Sequence, residues 1–281
     1  MFNVLGFYNY FGNGDLFNSK EFVRDIVANV PAKEYYYLHL RDPKLLYDLE
    51  GVKYSKPNYL CQPNKQFYIE NNELYINTWI GLDSKYVLPG IGCTLKKNID
   101  LYNMILSKTG VSFRLTKPAE NYVPTIDFDS LYSVDGLIGN ILISNGLVYS
   151  SQAKNFDFTP IIDKLSDNFP NEHFVLTSPT NLKKENISYT NDLFPSLIGA
   201  DLNEIGYLST RSKLIIGRSS GPYGFCQNKH NLYTSPKDFI SFCYHKNCAS
   251  FVHDIKTNAT ITHSSATDAE AVYNVIASHI R

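Results

Sequence analysis

The sequence predicts an α/β protein made of two Rossmann-like domains facing a central cleft. Three observations predict it. A strand, a glycine-rich turn, a helix and a second strand follow one another between Phe2 and Leu40. The same order restarts at Asn140. Between the two lies Lys117 to Asp127, a stretch with two prolines that reads as the approach to a domain boundary. A strand–helix–strand unit calls for a right-handed crossover in a parallel sheet, so two such halves in series imply two sheets. The expected divisions are 1–130, 131–265 and a terminal helix over 266–281.

The first strand is Phe2 to Phe11, rich in aromatic residues, and it runs into Gly12-Asn13-Gly14-Asp15. In Ser19 to Val30 the residues Phe22, Val23, Ile26, Val27 and Val30 fall at helical spacing, and Pro31 follows the end. Glu34 to Leu40 is a short strand dense in tyrosine. Asp42 to Leu49 reads as a helix, with Asp42 as its N-cap and Pro43 at its first position. Tyr54 to Lys65 holds two prolines and reads as a loop. Leu74 to Leu82 is a strand and Asn98 to Ser107 a helix.

In the second half, Asn140 to Ser144 is a buried strand ending in Asn145-Gly146. Phe158 to Asn168 is a helix with Ile161, Ile162 and Leu165 on its apolar face. His173 to Thr177 and Asn186 to Tyr189 are strands, and Asp201 to Leu208 is a helix with an aspartate cap. Lys213 to Gly217 is a strand that ends in Arg218-Ser219-Ser220-Gly221-Pro222. Phe239 to Tyr244 is the last secure strand, and a helix runs from Thr267 to Ile280.

A chain of 281 residues with 43% hydrophobic and 19% charged residues has ample material for a core. The 21 tyrosines and 17 phenylalanines read first as core and surface packing, and second as stacking platforms for sugars or bases. Net charge is −1, and no basic block marks a nucleic-acid surface or a polybasic membrane arm. A phosphate can still be held by backbone amides, which leave no trace in net charge. The five cysteines form no Cys-x-x-Cys pair, and Cys243 and Cys248 with His245 and His253 do not complete a zinc pattern. Free thiols in a reducing compartment and no metal are the expectation. The first residues lack the basic start of a signal peptide, and no apolar run approaches the ~18 residues of a membrane span, so a cytoplasmic protein is expected.

Ligands in open α/β sheets sit beyond the carboxyl ends of strands, and three strand ends here carry suggestive residues. At Gly12-Asn13-Gly14-Asp15 the full Gly-x-Gly-x-x-Gly pattern is absent, which disfavours a nicotinamide dinucleotide. A carboxylate just before a helix serves either as a general base for an acceptor hydroxyl or simply as a cap. At Gly217 to Pro222, hydroxyls and backbone N–H groups resemble an anion cradle, with Arg218 adding charge; the alternative is an ordinary turn. Ser144-Asn145 with Ser150 to Lys154 is a weaker polar loop, in which Lys154 is placed to meet phosphate.

These residues resemble GT-B glycosyltransferases, and most nearly the family 9 enzymes that include the lipopolysaccharide heptosyltransferases. Gly14-Asp15 between strand and helix matches one motif of that family, and Gly217 to Pro222 after an apolar strand matches another. The family's usual aspartate before Ser-Gly-Pro is Ser219 here. The resemblance implies a metal-independent transferase with no cofactor other than a nucleotide-diphosphate sugar as co-substrate. It implies that the second domain holds the donor and the first offers the base and the acceptor, a glycan or glycolipid. Asp15 matches the catalytic base, and Ser219, Ser220 and Gly221 match the diphosphate loop. Thr177 and Ser178 match the place of the nucleobase or ribose. Gly12, Asn13, Gly14, His39, Arg41 and Trp79 are acceptor-side candidates, with surface or core roles as their alternatives. The terminal helix is expected to cross back to the first domain. The chemistry is a single inverting displacement. A nucleotide-sugar epimerase and a non-catalytic sugar- or nucleotide-binding protein of the same fold are the rival readings.

Overall fold

A computed structural model describes residues 1–10, 12–79, 94–125, 137–149, 152–194 and 201–280. Phe11, Leu82, Cys93, Asp127, Ser150 and Ser151, which enter the readings above, lie outside the described residues. The chain divides into two units, Met1–Thr125 with Phe251–Ile255, and Ile126–Ser250 with Lys256–Arg281.

In the first unit, β1 (Phe2–Asn9), α1 (Asn13–Asn29) and β2 (Ala32–His39) form the expected strand–helix–strand element. β1 runs parallel to β2, with Leu5 opposite Tyr35. It also runs parallel to β5 (Glu73–Asn77), with Leu5 opposite Leu74. β3 (Val52–Ser55) lies beside β2, and β4 (Phe67–Glu70) pairs antiparallel with β5, which makes the order β3-β2-β1-β5-β4. Neither strand was expected: β3 overlaps the start of the stretch Tyr54 to Lys65 read as a loop, and β4 follows its end. Pro57 and Pro63 lie between these strands, where a missing N–H costs no ladder bond. Asn71 and Asn72 turn the β4–β5 hairpin with φ of 49° and 63°, a left-handed pair that asparagine tolerates. That Asn-Asn pair was the available signal for the hairpin.

Asp42 does cap, accepting from the Lys44 N–H at 3.0 Å, but the helix it starts is one 3₁₀ turn over Pro43–Leu46. α1 begins earlier than expected, so Asn13, Gly14 and Asp15 lie in its first turn and not in a turn before it. α1 also buries charge. The Lys20 ammonium, fully enclosed, sits 2.7 Å from Asp48 and 3.3 Å from the Thr125 carbonyl. Arg24 bonds Glu21 and Asp48, each at 3.0 Å. Glu21 accepts from the Thr125 N–H and hydroxyl, and Asp25 from Lys117 and Tyr122. The proline-bearing stretch 117–125 is therefore docked on the polar face of α1 by charge-assisted bonds. α2 (Leu95–Lys108), capped by the Thr94 hydroxyl, adds Tyr102 to the same wall, where Phe22 lies between Tyr102 and Tyr122 at ring distances of 5.1 and 4.4 Å. Tyr8, Tyr37 and Tyr122 are enclosed with their hydroxyls bonded, so for these three the packing reading of the tyrosines holds.

The second unit is an all-parallel sheet. Its strands are β6 (Asn140–Ser144), β7 (Phe174–Leu176), β8 (Ile187–Tyr189), β9 (Ser212–Arg218), β10 (Asp238–Phe242) and β11 (Thr260–Ser264). They lie in the order β11-β10-β9-β6-β7-β8. Read from the other edge this is third, second, first, fourth, fifth, sixth, the Rossmann order. β11 was not foreseen, because Thr-Ile-Thr-His-Ser at a sheet edge carries a single aliphatic residue. Among the described residues, five of the seven α-helices are elements already expected from the sequence or extend them: α1, α2, α3 (Thr159–Asn168), α5 (Leu202–Arg211) and α7 (Ala269–Ala277). Two short ones, α4 (Thr190–Leu193) and α6 (Gly221–Cys226), are additions. Asp201 stands at the N-cap of α5, yet its side chain makes no cap bond. Asp268 does cap α7, accepting from the Glu270 and Ala271 N–H groups.

The terminal helix packs within the second unit. Val272, Ile276 and Ile280 join Ile161, Ile162 and Leu165 of α3 in the core of the second unit, and Lys164 pairs with Glu270 at 2.7 Å. The segment that groups with the first unit is Phe251–Ile255.

Removing Asp48 leaves the buried Lys20 ammonium without its direct ion-pair partner. Asp48→Ala is expected to destabilise the protein by about 3–5 kcal/mol, read as a lower urea midpoint. The double variant Lys20→Met with Asp48→Ala recovers most of that loss.

Candidate functional site

In the first unit the strand order reverses between β1 and β5, the place where open sheets bind ligands. Side chains from four elements meet at their carboxyl ends. The Tyr37 hydroxyl is 2.8 Å from the Ser19 hydroxyl and 2.6 Å from that of Thr78. Asn9, the last residue of β1, donates to the Thr78 hydroxyl at 3.3 Å. Thr78 is pinned in turn by its N–H on the Tyr8 carbonyl at 2.9 Å. Sequence reasoning missed this chain. Its members are far apart along the backbone, and only their positions at strand ends hint at it.

Asp15 lies one helical turn before Ser19. Its carboxylate accepts the Gly12 N–H at 2.9 Å, so the capping role weighed for it is real. Burial pushes its pKa above the usual carboxylate value, and the Gly12 bond and the charge of Arg41 act against that rise. A cap and a base are compatible, since the Gly12 bond uses one carboxylate oxygen. Gly12, Asn13 and Gly14 are half-buried around it.

His39 is the last residue of β2 and is 5% exposed. Its Nδ1 accepts the Arg41 N–H at 3.1 Å, which leaves the proton of the neutral ring on Nε2. That nitrogen is buried and has no partner among the described residues. Burial lowers the His39 pKa, with the Arg41 N–H and Asp42 opposing, so the ring is held neutral. Arg41 is exposed beside it. Trp79 is half-buried just beyond β5, and its N–H donates to the Asn77 side chain at 2.9 Å.

In the second unit the order reverses between β6 and β9. Ser144 ends β6 opposite Gly217 of β9. A Cβ on Gly217 would stand 2.8 Å from the Ser144 Cβ and 3.0 Å from the Tyr223 ring, so only glycine fits. The Ser144 hydroxyl is buried and unpartnered, as is the Thr177 hydroxyl just past β7. An unpaired buried hydroxyl costs about 1–3 kcal/mol, which makes these two, at the ends of adjacent strands, candidate ligand contacts. Ser178 is held by Asn145, whose side chain takes its N–H and gives to its carbonyl, both at 2.9 Å.

Ser219 follows β9 and its hydroxyl donates to Gln152 at 3.2 Å. Ser220 is the N-cap of α6, and Gly221 and Pro222 open that helix. The Ser-Ser-Gly-Pro segment is thus a strand-to-helix turn whose first N–H groups lack intrahelical acceptors. Lys154 is exposed on the loop before α3 and pairs with no described residue.

Arg218 departs from expectation. It is 1% exposed and points inward, away from the role of adding charge to an anion. Its guanidinium donates to the carbonyls of Phe156, Asn145 and Gly146, each at 2.7 Å. The rings of Phe156 and Phe158 flank it at 5.1 and 5.0 Å. Three of its five N–H donors go to carbonyls and two aromatic faces cover the plane, which leaves the buried Nε–H and one N–H of Nη1.

Among the described residues no three His, Cys, Asp or Glu side chains converge as a metal site, and no helix is long and apolar enough to cross a membrane.

Two α/β units, one sheet all-parallel and the other parallel but for its β4 edge, each with polar groups at its strand-order reversal, match the GT-B class of fold. The comparisons with solved structures agree. The chain is similar to E. coli heptosyltransferase WaaC with ADP, at 9% identity over 98% of this chain and 97% of that one, with a TM-score of 0.53. It is similar to the family 9 glycosyltransferase of Veillonella parvula, at 13% identity, 99% and 90% coverage and a TM-score of 0.51. S. aureus MnaA with UDP matches at 13% identity, 98% and 87% coverage and a TM-score of 0.50. The fold is therefore the GT-B fold that these proteins share. No protein-family model and no curated protein matches the sequence.

The raised pKa of Asp15 has a measurable consequence. Its carboxyl carbon, followed by NMR, is expected to titrate above the ordinary aspartate value of about 3.9. Arg41→Gln moves the midpoint further up, since it removes the charge that opposes the rise. Between the ordinary and the raised value the native state binds the proton and the unfolded chain does not, so stability falls as pH rises across that window. In Asp15→Asn that slope disappears.

Proposed function

We propose that this chain is a glycosyltransferase that moves a sugar from a nucleotide-diphosphate sugar to a hydroxyl of a glycan or glycolipid, with inversion and without a metal. The observation that carries the reading is the reversal point of the second sheet. There the bare Gly217, the orphaned hydroxyls of Ser144 and Thr177, and the Ser219-Ser220-Gly221 turn bring donors together where a Rossmann-ordered sheet receives a nucleotide. The solved structures of similar fold include two described with bound ADP or UDP, which supports a nucleoside diphosphate as the ligand. The free thiols of Cys61, Cys226, Cys243 and Cys248 suit a reducing, cytoplasmic setting.

In this reading Asp15 removes the proton from the acceptor hydroxyl. A pKa raised by burial makes it a better base than an exposed aspartate near neutral pH. The acceptor oxygen forms its bond to the anomeric carbon as the bond from that carbon to the diphosphate oxygen breaks. The electron pair and the negative charge leave with the nucleoside diphosphate. The N–H groups of Ser220 and Gly221 and the Ser220 hydroxyl, with Lys154, stabilise that charge beside Ser219, whose own N–H and hydroxyl bond the Phe242 carbonyl and Gln152, and Thr177 and Ser178 hold the nucleoside. His39 offers its neutral Nε2–H, with Arg41, to the acceptor side.

A thermal-shift screen against UDP-, ADP-, GDP- and CMP-sugars is expected to give a stabilising response to one nucleotide class, and no response from any of them would sink the donor reading. With the responding donor and an accepted glycan, Asp15→Asn is expected to lower turnover by about 10²–10⁴-fold while donor affinity stays near that of the parent. Product NMR reads inversion at the anomeric carbon. Donor incubated alone and yielding a sugar isomer would reassign the protein as an epimerase.

A further inference from the structure

Arg218 is the one charged residue of the donor region that the proposed mechanism leaves without a ligand. Its burial costs solvation, and its fork is spent on backbone. Two of the three carbonyls it holds are consecutive, those of Asn145 and Gly146. The chain has no cis peptide bond among the described residues, and in a trans peptide the N–H points opposite to the carbonyl of the same unit. Carbonyls turned toward Arg218 therefore turn the N–H groups of Gly146 and Leu147 away from it. Neither N–H bonds any described residue.

The flanks of this pair are tied down. Asn145 is locked to both backbone groups of Ser178. Val148 is locked by the Asn155 side chain, which accepts its N–H and donates to its carbonyl, both at 2.8 Å. Gly146 runs so close to Ser178 that a Cβ would stand 2.8 Å from the Ser178 hydroxyl oxygen. Arg218 also holds the Phe156 carbonyl, so a single guanidinium joins the end of β9, the loop after β6 and the approach to α3.

We infer that Arg218 is a positioning residue of the donor site: by drawing the Asn145 and Gly146 carbonyls inward it aims the Gly146 and Leu147 N–H groups outward as a paired receptor for a diphosphate. Successive N–H groups that share one direction form an anion-binding nest, and a nest set before the ligand arrives loses less entropy on binding. Lysine cannot replace the arginine here, because a single ammonium lacks the planar fork that spans three carbonyls.

The inference rests on the donor reading of the second unit, and the test separates the two. Arg218→Met and Arg218→Lys are compared with the parent protein. Arg218→Lys keeps the charge and the stem between the two rings, which guards against a result that reflects only misfolding. Without ligand, amide exchange at Val148 and Ser178 is expected to quicken in both variants while β6 and β9 stay protected. Exchange unchanged at both amides would overturn the inference. With UDP and ADP as probes, the ¹⁵N resonances of Gly146 and Leu147 in the parent are expected to shift for the diphosphate that binds, and not for uridine or adenosine. Both variants are expected to bind that diphosphate about tenfold or more weakly, from the loss of oriented donors to a charged group, while nucleoside binding is retained. Diphosphate affinity within about twofold of the parent in both variants would equally overturn it. A parent that binds neither UDP nor ADP removes the diphosphate from the inference and fails the donor reading as well, while the exchange rates still decide whether Arg218 sets the loop.

Discussion

In the second unit the decisive constraint is the parting of the chain between β6 and β9. Two parallel strands lie side by side, with Ser144 opposite Gly217, and the chain leaves their carboxyl ends toward opposite edges of the sheet. The backbone groups exposed there have no next strand to bond. Gly217 lets the strands approach with no side chain between them, and Arg218, one residue later, binds the loop that leaves β6. A buried guanidinium is costly unless its fork is filled, so the loops must hold their carbonyls where it can reach them. The same demand that satisfies the arginine thus shapes the rim of the candidate donor site.

The first unit solves a different problem. Its α1 buries apolar residues such as Leu16 and Ile26, sets Phe22 between Tyr102 and Tyr122, and has its polar face covered too, by the stretch 117–125 and by Asp48. Lys20, Glu21 and Asp25 therefore lie inside, each with a partner of opposite charge or a strong donor. One turn toward the amino end, Asp15 is governed first by the same desolvation, against which the Gly12 N–H and the charge of Arg41 act. A helix whose polar side is clamped in this way gives its first turn a firm base, which suits a carboxylate that has to be aimed.

Much of the fold was legible because hydrophobic periodicity is local. Ile141-Leu142-Ile143 and Leu214-Ile215-Ile216 are buried on both faces, and their unbroken apolar runs say so. β3, β4 and β11 were not legible. Each lies at or near a sheet edge with polar residues, and its strand character comes from the neighbour it pairs with. The terminal helix was legible, but its packing on α3 was not, since an apolar face shows that a helix packs and not against what. At the sites, residue types and strand ends pointed to Asp15, Ser144, Ser219 and Ser220. The Ser19–Tyr37–Thr78–Asn9 chain was hidden because its members are drawn from four separate elements.

By itself the sequence determined the class of architecture and where its polar strand ends fall, because both follow from periodicity and from turn residues within a few positions of one another. Only the tertiary structure decided which way each polar group points. Arg218 looks in the sequence like a phosphate ligand, and it is the packing of Phe156 and Phe158 on its two faces, with three carbonyls at its tips, that turns it inward. A side chain's direction depends on the desolvation and hydrogen-bond demands of neighbours brought from distant parts of the chain, and no local pattern carries that information.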